Sequence, residues 1–215
     1  MKKRIVCFGD SNTWGYDVEN QTRFSEEVRW PCLLQKKLGG DYQVIEEGLS
    51  GRTSVVDDPL FEGLNAFTYL HPCLMSHSPL DLVIIMLGTN DTKERFALTA
   101  YNIAQGIARL ADKASKTPAG ANGGYPKVLI LAPPPIKKGY YNTDVRYPMG
   151  DHCDKKSEEF PQFLESLLDK EIEFLNLGSH VSMNNIDFMH LDEVGHRLTA
   201  ELVEKKINEI FGGGY

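Results

Sequence analysis

Five short apolar runs, spread along 215 residues and separated by amphipathic stretches, constrain this chain more than any other feature. They are RIVCF (4–8), QVIEE (43–47), DLVIIML (81–87), KVLILA (127–132) and EFLNL (173–177). VIIML and VLILA are apolar at consecutive positions, so both faces of those strands need covering, as in a parallel sheet between helix layers. Helical patterns lie between the runs. WPCLLQKKL (30–38) has Pro31 at an early helical position and stops at Gly39-Gly40. Residues 98–116 space Ile103, Ile107, Leu110 and Ala114 along one face, and helices are also expected over 155–170 and 192–210. Alternating strands and helices predict a doubly wound α/β fold, with residues 1–215 as one domain. Residues 57–79, 117–126 and 133–154 read as long loops, and long loops are usually functional or mobile.

Composition narrows the function classes. At 41% hydrophobic residues the chain can fill a core. Its 23 basic and 30 acidic residues give a net charge of −7 with no Lys/Arg run, so no nucleic-acid partner is expected. Cys7, Cys32, Cys73 and Cys153 form no C-x-x-C pair, which suggests neither a zinc site nor a disulfide framework. The apolar stretch IVCF ends at Gly9, too soon for a signal-peptide core, and no later run is long enough to span a bilayer. The expectation is a cytoplasmic protein with no membrane partner.

In open α/β sheets, sites form beyond the carboxyl ends of the strands. GDSN follows the first run, EGLSGRT the second, GTND the third and DFMH the fifth. These are the parts that acyl transfer needs. A serine hydroxyl, Ser11, requires a neighbouring base, which His190 can supply, and Asp187 three residues earlier can orient the ring. Backbone N–H groups of Ser11 and Gly51 with the Asn90 amide would supply an oxyanion hole. Each residue also has a plainer reading. Ser50 is a rival hydroxyl but lacks a G-x-S-x-G elbow, so a turn role suits it better. Gly51 and Asn90 both suit turns. Asp10 and Asp91 read as loop braces, and His196 as a residue facing solvent or core. His190 and His196 are separated by five residues, which does not match i,i+4 metal ligation, and no metal or other cofactor is expected.

GDSNTWGY, GLSGRT, LGTND and D-F-M-H together resemble the four blocks of the SGNH, or GDSL, hydrolase superfamily, in order from residue 9 to 190. The longer strings VIEEGLSGRT (44–53), DDP (57–59) and PLDLVIIMLGTNDTK (79–93) are similar to its arylesterase and acyltransferase branch. The resemblance implies a flavodoxin-like α/β/α sandwich on a five-stranded parallel sheet. It also implies a Ser11–His190–Asp187 triad and an oxyanion hole of Ser11, Gly51 and Asn90. GDSN departs from the commoner GDSL only after the serine. Family position makes Trp14 a candidate pocket wall, with Pro134 and Ile136 after the fourth strand. The implied activity is hydrolysis of short acyl groups, such as acetyl, from small esters through an acyl-enzyme resolved by water or an alcohol. A carbohydrate O-acetylesterase of the acetylxylan type is the nearest alternative. A non-catalytic flavodoxin-like binding module is the different-class alternative, although GDSNTWG places an acid where a phosphate cradle would be. A receiver-type phosphoacceptor would need an aspartate where Gly88-Thr89-Asn90 stands. The resemblance and the long loops also suggest a homo-oligomer.

Overall fold

In the computed structural model, which describes residues 2–212, β1 (Lys3–Gly9), β4 (Tyr42–Gly48), β5 (Leu82–Met86), β6 (Lys127–Ala132) and β7 (Glu173–Asn176) form one parallel sheet. Its order is β4-β1-β5-β6-β7, the flavodoxin-type arrangement. β1 lies inside the sheet, between β4 and β5, because IVCF is apolar on both faces and can be covered on both. Val6 and Phe8 pack on one side with Val83, Ile85, Val128 and Ile130. Ile5 and Cys7 pack on the other with Ile84, Met86, Leu129 and Leu131.

Helices close each face. α3 (Ala66–Ser76), α4 (Ala100–Ser115) and α6 (Cys153–Leu167) cover the first, inserting Leu70, Ile103, Ile107 and Phe160. α2 (Trp30–Leu38) and α7 (Glu193–Gly212) cover the second with Trp30, Leu34, Val203 and Ile207. The result is a three-layer α/β/α sandwich. α4 starts where it does because Thr99 and Asn102 cap each other reciprocally.

The strands and the four expected helices agree with the sequence reading to within a few residues. The stretch 57–79 differs, because it contains α3. Asn65 caps that helix through the Phe67 N–H, while Pro72 sits inside it and masks the signal by removing a backbone donor. The 133–154 segment likewise carries a short helix, α5 (Arg146–Met149). After β1 come a one-turn helix, α1 (Ser11–Trp14), and a small antiparallel hairpin of β2 (Tyr16–Asp17) and β3 (Thr22–Arg23).

Register positions the site. Gly9 pairs with Gly48 on one side and Met86 on the other, so three loops leave the sheet at one level. A side chain at Gly48 would bring a Cβ within 2.2 Å of the Trp14 nitrogen, so glycine is what lets α1 lie against the end of β4.

Candidate active site

The three loops deliver Ser11, Gly51 and Asn90 to one cleft of about 350 Å³, and the segment before α7 brings Asp187 and His190 to the same place. Ser11 Oγ lies 2.9 Å from His190 Nε2, and His190 Nδ1 lies 2.5 Å from Asp187 Oδ2. With Nδ1–H donated to the carboxylate, Nε2 is left as an acceptor for the serine proton. The other Asp187 oxygen accepts from Asn184 Nδ2 at 2.9 Å and from the N–H groups of Met189 and His190 at 3.2 Å. Burial opposes ionisation of Asp187. The His190 hydrogen bond and charge, aided by Met189 N–H and Asn184, outweigh it and hold the carboxyl below its ordinary value.

Donors face the same cleft. Among the described residues, neither Ser11 N nor Gly51 N donates to another protein group. Gly51 has φ = +85°, which glycine adopts without strain. Asn90 Nδ2 donates to Asp10 Oδ2 at 3.3 Å, and Asp10 Oδ1 in turn caps Asn12 N at 2.9 Å. Burial pushes the Asp10 carboxyl up to about 6, with Asn12 N–H pulling the other way.

Further hydrogen bonds brace the loops against one another. Asp91 accepts from the Ser54 N–H and hydroxyl, joining the Asn90 and Gly51 loops. Arg52 Nη1 donates to Gly9 O at 2.9 Å. Asn12, the residue that departs from GDSL, donates to Met189 O at 3.3 Å and accepts from Leu191 N at 2.9 Å. It therefore grips the backbone on both sides of His190.

The cleft walls differ from those expected. Tyr16, Val18, Lys93, Val145, Pro148, Met149 and Met189 line the cleft. Trp14, Pro134 and Ile136 do not line it. Arg23 holds Trp14, with its guanidinium 5.2 Å from the ring centroid and its Nε donating to Trp14 O at 2.7 Å. Pro134 is buried, and Ile136 packs with Tyr140, Met149, Cys153 and Met189 beneath the surface. Tyr16 was legible as the last letter of GDSNTWGY, and its ring lies 4.7 Å from that of His190. Lys93 stands in GTNDTK and Met189 in DFMH. Val145, Pro148 and Met149 had no signal beyond the length of their loop.

His196 is fully buried, and its Nδ1 accepts from Trp30 N at 3.3 Å, so it belongs to the core. Away from the cleft, Glu47, Cys73 and His77 bring ligand atoms within 4.8 Å of one another, but Glu47 and His77 already pair at 2.7 Å. No helix among the described residues is long and apolar enough to cross a membrane.

Residues 7–198 match the model of the GDSL-like lipase/acylhydrolase family. The chain belongs to that family. Its structural relatives agree. An aryl esterase from M. smegmatis superposes with a TM-score of 0.90 at 38% identity, covering 97% of this chain and 100% of that one. A carbohydrate acetylesterase from Sinorhizobium meliloti gives 0.87 at 38% identity, covering 98% and 100%. An acetylxylan esterase from Xylanibacter ruminicola is 26% identical over 216 residues, which is 95% of this chain but 43% of that protein. The GDSL-like family chain thus spans less than half of that longer relative.

Proposed function

We propose that the chain is a carboxylic ester hydrolase that removes short acyl groups, acetyl foremost, from small esters. The observation that carries this reading is the Ser11–His190–Asp187 relay, at 2.9 and 2.5 Å, in a cleft shared with Gly51 and Asn90. Ser11 Oγ attacks the ester carbonyl as its proton passes to His190 Nε2. Ser11 N, Gly51 N and Asn90 Nδ2 hold the resulting oxyanion. Collapse breaks the bond to the alcohol oxygen, which leaves with the His190 proton. Water then attacks the acyl-enzyme, giving its proton to His190, and Ser11 departs with that proton.

An alcohol in place of water would make the same site an acyltransferase. The carbohydrate O-acetylesterase reading uses identical chemistry and is favoured by the sugar-directed relatives. Release of acetate from acetylated xylo-oligosaccharides, compared with simple acetates, separates the two. The same proposal takes residues 1–215 as one catalytic unit, cytoplasmic and self-associating. Cell fractionation, and light scattering against the 24.2 kDa chain mass, test the last two.

The decisive experiment is hydrolysis of p-nitrophenyl acetate by the wild type and by Ser11→Ala. Turnover by the wild type that is lost in the variant is the expected result. Equal turnover by both rejects the role given to Ser11, and inactivity of both favours a binding module.

A further inference from the structure

Lys93 has no use in the chemistry above. It lines the cleft, yet its residue surface is only 8% exposed. Among the described residues its ammonium makes no hydrogen bond, and no carboxylate comes within 4.0 Å of it, whereas Lys156 donates to Thr92 O and Arg95 pairs with Asp58. Arg95, the neighbouring cation, is fully engaged: its Nε and Nη2 reach the two oxygens of Asp58 at 3.2 and 2.5 Å, and its Nη1 donates to Pro148 O. Asp58, Asp10 and Asp91 act on the Lys93 charge from a distance, each already bound to other groups. Burial, and then Arg95, pull the Lys93 ammonium below the usual lysine range. The Lys93 stem is thus buried while its Nζ stays in contact with the solvent of the cleft, and an ammonium held there without a protein partner can pair with an anion that enters.

The walls indicate which half of a substrate meets it. Tyr16 lies against His190, with 4.7 Å between the ring centroids. Lys93 instead belongs to the Asn90 turn, its N–H donating to Asn90 O at 3.2 Å, and the adjoining Arg95 donates to Pro148 O. His190 must hand its proton to the leaving alcohol oxygen, so the alcohol half lies on the Tyr16 side. The acyl half then runs towards Lys93 over an otherwise apolar wall.

We propose that Lys93 selects esters whose acyl group ends in a carboxylate, half-esters of short dicarboxylic acids, by pairing its ammonium with that terminal anion. This rests on the esterase reading above and names its substrate class. The test compares kcat/KM for ethyl hydrogen succinate with that for ethyl butyrate, its neutral counterpart of similar shape, in the wild type, Lys93→Met and Lys93→Arg. The wild type should prefer the charged ester, and the preference should shrink as salt rises. Lys93→Met should lower the ratio by about tenfold or more, chiefly through KM for the charged ester, and Lys93→Arg should restore part of it. Thermal melts of all three check folding. A wild type that hydrolyses both esters equally, or a preference that survives in Lys93→Met, overturns the proposal and leaves the esterase reading standing. Hydrolysis of neither ester, nor of p-nitrophenyl acetate, removes the esterase reading itself. A preference found only when the carboxylate is on the alcohol half, as in O-acetylglycolate against propyl acetate, also overturns it.

Discussion

The side-chain amide of Asn90 carries two hydrogens, and the proposed mechanism uses both. One goes to Asp10 Oδ2 at 3.3 Å, which fixes the plane of the amide and leaves the other for the cleft. In the proposed mechanism that second hydrogen meets charge only as the carbonyl becomes tetrahedral, so its worth lies in turnover and not in substrate affinity. Asn90→Ala should therefore lower kcat by about 10²–10³ with a smaller change in KM, read from steady-state kinetics on p-nitrophenyl acetate. A rise in KM alone would assign the amide to substrate binding. At this scale the sequence was informative about which residues meet in the cleft, because Ser11, Gly51, Asn90, Asp187 and His190 each stand in a short string after a strand. It was less informative about the walls. Whether Trp14 or Tyr16 faces the cleft depends on how α1 and the β2–β3 hairpin turn. Here Arg23 takes the indole, and the phenol is left beside the imidazole.

Elements meet at the rim through side chains that no single motif explains. Asn12 joins α1 to the segment before α7 by two buried hydrogen bonds, one on each side of His190. Leucine at this position, as in the commoner GDSL string, has similar bulk but no polar atoms, so Met189 O and Leu191 N would lose these partners. Asn12→Leu is expected to reduce the unfolding free energy by about 2 kcal/mol in urea titrations. It should also lower kcat, because the ring of His190 would no longer be held against Ser11 Oγ. Unchanged stability together with unchanged kcat would show the bridge to be idle. The helix α3 teaches a related lesson. Its sequence, AFTYLHPCLMS, hides a helix behind Pro72, and only the cap at Asn65 and the packing of Leu70 and Leu74 against the sheet reveal it. Tertiary burial overrides a local breaker there, which periodicity alone does not report.

For the molecule as a whole, buried titratable groups set how stability varies with pH. His196 is held neutral, its value lowered to about 3 by burial and then by the nearby charges of His190 and Arg29. Below its ordinary value of 6.5 the unfolded chain takes up a proton that the native state refuses, so this residue costs stability as the solution is acidified from pH 7 towards 3. Asp10 acts in the opposite sense. Its carboxyl, raised from 3.8 to about 6, keeps a proton that the unfolded chain has lost, so its contribution falls as pH rises through that window. Between pH 7 and 5 each effect amounts to about 1–2 kcal/mol. His196→Leu should thus gain stability relative to wild type on going from pH 7 to 5, and Asp10→Asn should lose it, measured as denaturation midpoints at the two pH values. Parallel shifts in all three proteins would contradict both assignments. The fold class was legible at this scale because five apolar runs alternate with helices. These two burials were not, since the sequence leaves His196 between solvent and core and reads Asp10 only as a loop brace, until Trp30 of α2 closes on the one and the Asn90 loop on the other.

Chain order adds a temporal consequence to the contact between Ser11 and His190. Ser11 follows the first strand, whereas His190 lies just before the final helix, 179 positions later. A nascent polypeptide emerging from the ribosome carries the hydroxyl through almost its entire synthesis with no imidazole beside it. Whatever reactivity the serine has is armed last, so a prematurely halted chain is born chemically quiet.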